Sequence, residues 1–250
     1  SELYTVGALE GMGELGPNED ECVGVPDLDS LTVLPWDTRY AVAAADLEFH
    51  GKPYNHDSRA VLKRQIAAAA AQGYVMNMGV EPEVYVLREV DGDWVPFVSD
   101  DTVNLPTRGY DLEATIQADE FLVPMVDYIN QLGWDVYSFD HEGGDGQYEF
   151  DFNYTDALAM ADRMIIFRLM AKQVARTLGC IATFMPKPRS DAFGSGAHLN
   201  VSLADIRSGA NFFEAPDIAG SREERGYTEL AYQFTAGVLA HSGAITAIAC

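Results

Sequence analysis

Cationic side chains are scarce in this 250-residue chain: 16 Lys and Arg stand against 39 Asp and Glu, a formal net charge of −23. A surface that negative repels phosphate backbones and anionic lipid, which argues against nucleic-acid and membrane-surface roles. Cysteine is scarcer still. Cys22, Cys180 and Cys250 are odd in number, far apart and without a CxxC pair, so neither a disulfide framework nor a zinc ribbon is indicated. No apolar run reaches the roughly 18 residues that a membrane span needs, and no signal-peptide pattern opens the chain. Walker-type phosphate loops, GxSxG and HExxH are missing. A single glycine motif, Gly11-Met-Gly13-Glu-Leu-Gly16, runs into Pro17-Asn-Glu-Asp-Glu21, which offers a pyrophosphate neither a helix N-terminus nor the right charge. These absences predict a cytoplasmic protein with reduced thiols.

What is present is enough for a core. Hydrophobic residues make up 48% of the chain and aromatics 11%, so it folds. The acidity fits a carboxylate-built metal site, a cationic small substrate or a high-salt environment, and composition does not choose among them. The start at Ser1 and the apolar last stretch from Gly243 to Cys250 lead us to expect a piece of a longer protein.

Local patterns predict strands at Thr32–Leu34 and Tyr40–Phe49, the second interrupted in its alanines, then a helix over Arg59–Gln72 capped by Asp57-Ser58 and closed by Gly73. Tyr74–Met78 and Glu81–Arg88 read as two strands, and Asp91-Gly92-Asp93 as a hairpin turn into Trp94–Val98. Leu112–Leu132 has helical periodicity with an interruption at Pro124, and Asp135–Phe139 is extended. Thr155–Leu178 is the clearest helix, capped by Thr155 or Asn153 and ended by Gly179. Strands at Ile181–Met185 and Ala197–Leu203 precede a last helix from about Thr228. Helices and strands mix without a regular βαβ beat, so the expected class is α+β with a mostly antiparallel sheet.

Three of these strands carry metal-competent side chains at alternate positions, and residues i and i+2 of a strand share a face. Glu81 and Glu83 point one way while Val84 and Val86 point the other. In Gln147–Phe152, acids alternate with aromatics. In Ala197–Leu203, His198, Asn200 and Ser202 line one face and four apolar residues the opposite one. Glu142 sits in the glycine-rich loop Asp140-His-Glu-Gly-Gly-Asp-Gly146. Each strand alone is compatible with a merely solvated face. If the faces converge, their mutual repulsion calls for a divalent cation. Glutamate oxygens favour Mg²⁺ or Mn²⁺, and a single histidine tilts the choice towards Mn²⁺. His50, His56, His141 and His241 read as surface or structural residues.

Five segments carry a resemblance: Val25-Pro-Asp-Leu28, Gly79-Val-Glu-Pro-Glu83, His141-Glu-Gly-Gly-Asp-Gly-Gln-Tyr-Glu149, Thr183-Phe-Met-Pro-Lys-Pro188 and Gly194-Ser-Gly-Ala-His198-Leu-Asn-Val-Ser202. In order and spacing the chain resembles the catalytic domain of the glutamine synthetase superfamily. The wording of Tyr137–Phe152 is most similar to the type III glutamine synthetase and γ-glutamylmethylamide synthetase branch. The resemblance implies a partial catalytic domain of the glutamine synthetase/guanido kinase-like fold over residues 25–250, with residues 1–24 a remnant of an N-terminal β-grasp domain or linker. It implies ATP-dependent ligation of ammonia or a small primary amine to the γ-carboxylate of glutamate through a γ-glutamyl phosphate.

The same resemblance implies two divalent ions, one on Glu83, Glu142 and Glu149, the other on Glu81 and His198 with a glutamate further along the chain. Gly194 falls where glutamate is held, Tyr154, Asn200 and Ser202 where the nucleotide is met, and Tyr110 with Glu142 near the amine. Asn200 stands where histidine is more frequent, and Phe193 where many members have asparagine. The family implies a homo-oligomer of stacked rings, a dodecamer, with active sites between subunits. The alternative reading is a catalytically silent relative or fragment serving as a binding or assembly module.

Overall fold

The structure, a computed structural model, describes residues 22–98, 109–215 and 226–249. The glycine motif at residues 11–16, nearly all of the 1–24 segment and Cys250 lie outside the described residues. The chain divides into two compact units between Gln72 and Gly73.

In the first unit, β1 (Val23–Pro26), β4 (Ala45–Phe49) and β5 (Lys52–Pro53) form an antiparallel sheet, and β2 (Thr32–Val33) pairs with β3 (Ala41–Val42). Helix α1 (Ser58–Ala70) starts at Asp57, whose carboxylate accepts from the backbone N–H groups of Arg59 and Ala60, satisfying donors that have no partner within the helix. Arg59 reaches Asp46 at 2.6 Å and Asp27 at 2.7 Å, tying α1 to β4 and to the turn after β1. Hydrogen bonding to Arg59 holds the Asp27 carboxyl below its ordinary range.

The second unit is built around one strand. β6 (Tyr74–Val90) runs 17 residues without interruption, where the sequence suggests two strands around Gly79-Val80. The reason is a continuous partner: β12 (Ala197–Asp205) pairs with β6 from Tyr74 to Pro82, so no backbone group at Gly79 lacks a ladder. β6 also pairs with β7 (Asp93–Pro96), β9 (Gln147–Phe152), β10 (Thr155–Asp156) and β11 (Ile181–Thr183), and β9 pairs with β8 (Val136–His141), giving seven strands with every pairing antiparallel. The α+β, mostly antiparallel expectation holds. Pro82 lacks an N–H, and it falls between the stretches of β6 that pair with β10 and β9, where no ladder bond is lost. The β6–β7 turn has Asp91 at φ 53° and Gly92 at φ 91°, the doubly left-handed geometry of a two-residue hairpin.

One face of this sheet is the core. Tyr148, Phe150 and Phe152 of β9 and Val84 and Val86 of β6 are at most 1% exposed. The β9 aromatics meet Phe121 of α3 (Asp119–Gln131) and Phe167 of α4 (Ala157–Thr177) at ring separations of 5.7–6.2 Å. The helix break expected at Pro124 lies instead at Ala118, between α2 (Leu112–Gln117) and α3. Pro124 sits inside α3, which Phe121, Leu122, Met125 and Ile129 anchor by burial. The cap of α4 is Asp156, not Thr155 or Asn153; its carboxylate accepts from Leu158 and Ala159. The last helix is two, α5 (Glu229–Ala240) and α6 (Ser242–Ala249), with His241 between them. Among the described residues no helix is long and apolar enough to cross a membrane.

Candidate metal centre

Register decides which acids meet. Along β6 and β9, Val84 faces Tyr148 on the core side, so Glu83 faces Glu149, and Tyr85 faces Gln147, on the other. One strand further, Asp140 of β8 lies opposite Glu149. On the other edge of β6, His198 of β12 lies opposite Glu81. Four carboxylates and an imidazole that are scattered over 118 residues of sequence thus share one sheet face.

The side chains close the distances. His198 Nδ1 lies 3.1 Å from Glu81 Oε2 and 3.8 Å from Glu149 Oε2, and the ligand atoms of Glu81, Glu149 and His198 all fall within 4.8 Å of one another. Asn200 donates to Glu81 Oε1 at 2.6 Å and fixes that carboxylate from behind. Glu83 is 9% exposed, and its Oε2 accepts a 2.7 Å hydrogen bond from Gln147 Nε2. The same amide donates to the Gly194 carbonyl at 3.0 Å, while Gln147 Oε1 accepts from the Gly144 backbone at 3.0 Å. Gln147 therefore ties Glu83, the loop before β9 and the segment leading into β12 into one frame.

Glu142 stands further round, in the loop between β8 and β9, where its backbone N–H is held by the Gln147 carbonyl at 2.9 Å. Its carboxyl is raised by burial first and by the charge of Glu83 second. Tyr110, 73% exposed, adopts φ 61° and donates its backbone N–H to the His141 carbonyl at 2.7 Å; its phenol is raised chiefly by the charge of Glu142. His141 is buried and structural, its Nδ1 2.8 Å from the Glu142 carbonyl. Tyr154 and Asn200 flank the bare Cα of Gly79, where a Cβ would lie 3.6 and 3.7 Å from theirs. Ser202 follows two residues beyond Asn200 on β12, opposite Asn77.

Electrostatics and burial act together here. Burial, then the charges of Asp151 and Glu142, push the Glu149 carboxyl up to about 8. Burial and Glu81 push Asp151 up to about 6. Glu149 Oε2 is buried without a hydrogen-bond partner, a lone pair that water does not reach and no protein donor satisfies. Oxygen donors with one imidazole, a sterically ready face and an unsatisfied buried carboxylate oxygen fit a hard divalent cation.

Sequence reasoning missed Gln147 and Asp140, and it gave Asp151 no role. Alternation along β9 places Asp151 on the Glu149 face, so the signal for it was present. Gln147 and Asp140 depend on cross-strand register, which no local pattern carries. On the apolar face of β12, Leu199 is 58% exposed.

Residues 55–250 match the family model described as glutamine synthetase, catalytic domain. The chain is 37% identical over 244 residues to a glutamate–methylamine ligase of Methyloversatilis universalis, covering 97% of the chain and 53% of that protein. It is 34% identical to the glutamine synthetase of Pyrococcus abyssi, covering 94% of the chain and 50% of that enzyme. A solved GmaS–ADP complex superimposes with a TM-score of 0.83 at 34% identity, over 92% of this chain and 51% of that one. The chain spans about half the length of the curated relatives it matches.

Proposed function

The chain belongs to the glutamine synthetase family, and from that membership we propose that it supplies the metal- and nucleotide-binding part of a ligase joining the γ-carboxylate of glutamate to ammonia or a small primary amine, driven by ATP. The observation that carries this reading is the meeting of Glu81, Glu149 and His198 from three strands, with Glu83 fixed beside them by Gln147.

A carboxylate is a poor acylating agent at neutral pH, so it must first take the γ-phosphoryl of ATP and become an acyl phosphate. Two divalent ions, Mg²⁺ or Mn²⁺, one on Glu81 and His198 and one on Glu83, Glu142 and Glu149, supply charge neutralisation for that transfer when bound. The chain's own residues do the positioning. Asn200 orients the Glu81 carboxylate, and Gln147 orients that of Glu83. Tyr154, 68% exposed beside Gly79, offers a ring for a nucleobase, and Asn200 and Ser202 offer polar groups further along β12. Gly194, its carbonyl held by Gln147, positions glutamate.

Glu142 and Tyr110 form the amine end. An amine arrives protonated, and the negative field that raises the Tyr110 phenol also attracts an ammonium group. Loss of its proton to a carboxylate must precede attack, because only the free base has a lone pair. The assembly we propose is a ringed homo-oligomer, a dodecamer in cytoplasm, with active sites completed between subunits, residues 1–24 being a remnant of an N-terminal β-grasp domain or linker and 25–250 part of the catalytic domain.

The test is a coupled ADP-release assay on the protein that carries this chain, with glutamate, Mn²⁺ or Mg²⁺ and a panel of amines. ADP formation that requires both glutamate and an amine supports the ligase. If no amine elicits ADP although divalent ions bind, the chain is a silent binding or assembly module.

A further inference from the structure

Besides the Glu81–Glu149–His198 group, a second set of ligand atoms lies within 4.8 Å of one another: those of Asp140, Glu149 and Asp151. Its backbone origin is simple. Asp151 follows Glu149 by two residues on β9, and Asp140 faces Glu149 from β8, so all three carboxylates stand on the acid face of the sheet. Neither Asp140 nor Asp151 belongs to the ligand sets proposed above.

Clustering alone would mean little, since acids gather on acidic surfaces. Asp151 is different. It is only 8% exposed, and its buried Oδ1 has no hydrogen-bond partner, although it lies beside two further carboxylates. Glu149 is equally buried and its Oε2 is likewise unsatisfied. Buried polar atoms are nearly always paired, and a buried carboxylate without a donor either keeps its own proton or takes a cation in place of one. No Arg or Lys makes an ion pair with Asp140, Glu149 or Asp151 among the described residues. On the Asp140 side, Ser138 Oγ is 3.4 Å from Asp140 Oδ2.

We infer that Asp140, Glu149 and Asp151 form an additional divalent-cation site next to the first group, with Glu149 shared between them. Its donor set is all oxygen and lacks the imidazole of the first group, which suits Mg²⁺ as well as Mn²⁺.

The experiment is Mn²⁺ binding to the chain, counted from the loss of the free-ion EPR signal, in wild type, Asp140→Asn, Asp151→Asn and His198→Ala. The expected result is that each Asp variant binds one Mn²⁺ fewer than wild type, while His198→Ala loses a different ion and keeps this one. Equal stoichiometry and affinity in wild type and both Asp variants would overturn the site. If that result accompanied loss of an ion in His198→Ala, the first group would stand and this site alone would fall. Should Asp151→Asn lose its near-UV circular dichroism, Asp140→Asn, at a less buried position, decides the matter.

Discussion

Gln147 donates to Oε2 of Glu83 at 2.7 Å, and both side chains are more than nine-tenths buried. The bond crosses the β6–β9 ladder, and the second donor contact of the same amide reaches the Gly194 carbonyl. A carboxylate is thereby aimed from behind, leaving its other oxygen for a cation.

Replacing that amide should loosen the centre without dismantling it. Gln147→Leu removes the amide that donates to Glu83 and leaves a buried carboxylate oxygen unsatisfied, so stability should fall by about 1–3 kcal/mol. Divalent affinity should fall by about 10- to 100-fold, the usual consequence of losing a partner that orients a ligand. Denaturant unfolding and Mn²⁺ titration calorimetry on the same variant measure both. Glu83→Ala and Glu149→Ala should each lose the cation that Glu83 and Glu149 hold together while keeping a near-native circular dichroism spectrum.

Two glycines separate fold from site. A Cβ on Gly144 would fall inside the Tyr85 hydroxyl, whose hydrogen bond to the Phe193 carbonyl spans 2.7 Å, so Gly144→Ala should destabilise by about 3 kcal/mol or more. A Cβ on Gly196 would stand 2.8 Å from Glu83 Oε1, and its φ is not left-handed, so Gly196→Ala should displace that carboxylate instead. The prediction is a large drop in melting temperature for the first variant, and a large drop in Mn²⁺ affinity with a small change in melting temperature for the second. Thermal melts with and without Mn²⁺ distinguish them.

The pH dependence of the metal-free protein has a definite sign. Glu149 keeps its proton in the folded state up to about 8, whereas the unfolded chain releases it near 4.5. Asp151 behaves alike between 3.8 and about 6. The folded state therefore binds more protons in this window, and stability contributed by these groups is complete below it and drains away as pH rises through it. In chelator the melting temperature should fall from pH 5 to pH 8, by a few kcal/mol of equivalent stability at most. Glu149→Gln should flatten that slope, and Mn²⁺ should remove it in wild type by taking the place of the proton.

Much of this arrangement was legible before any coordinates. Alternation along Glu81–Val86 placed Glu81 and Glu83 together on the face opposite Val84 and Val86, and the same rule paired Glu149 with Asp151. Asp57 announced α1. What could not be read was register: that Gln147, not a neighbour, lies across from Tyr85, and that Asp140 faces Glu149, are set by pairings between distant segments. Local breaker rules misplaced two boundaries. Pro124 is tolerated because burial of Phe121, Leu122, Met125 and Ile129 holds α3 around it, and Gly79 does not end β6 because β12 pairs straight through it.

His198 also gives the metal centre a spectroscopic handle, since it is the one imidazole in the Glu81–Glu149 group. With Mn²⁺ bound, pulsed EPR should show hyperfine coupling to a single ¹⁴N nucleus from a directly ligated imidazole, and His198→Ala should abolish it together with the ion of that group, leaving only Mn²⁺ bound at the all-carboxylate sites. A wild-type spectrum without ¹⁴N coupling, or a coupling that survives in His198→Ala, would contradict a cation held between these strands.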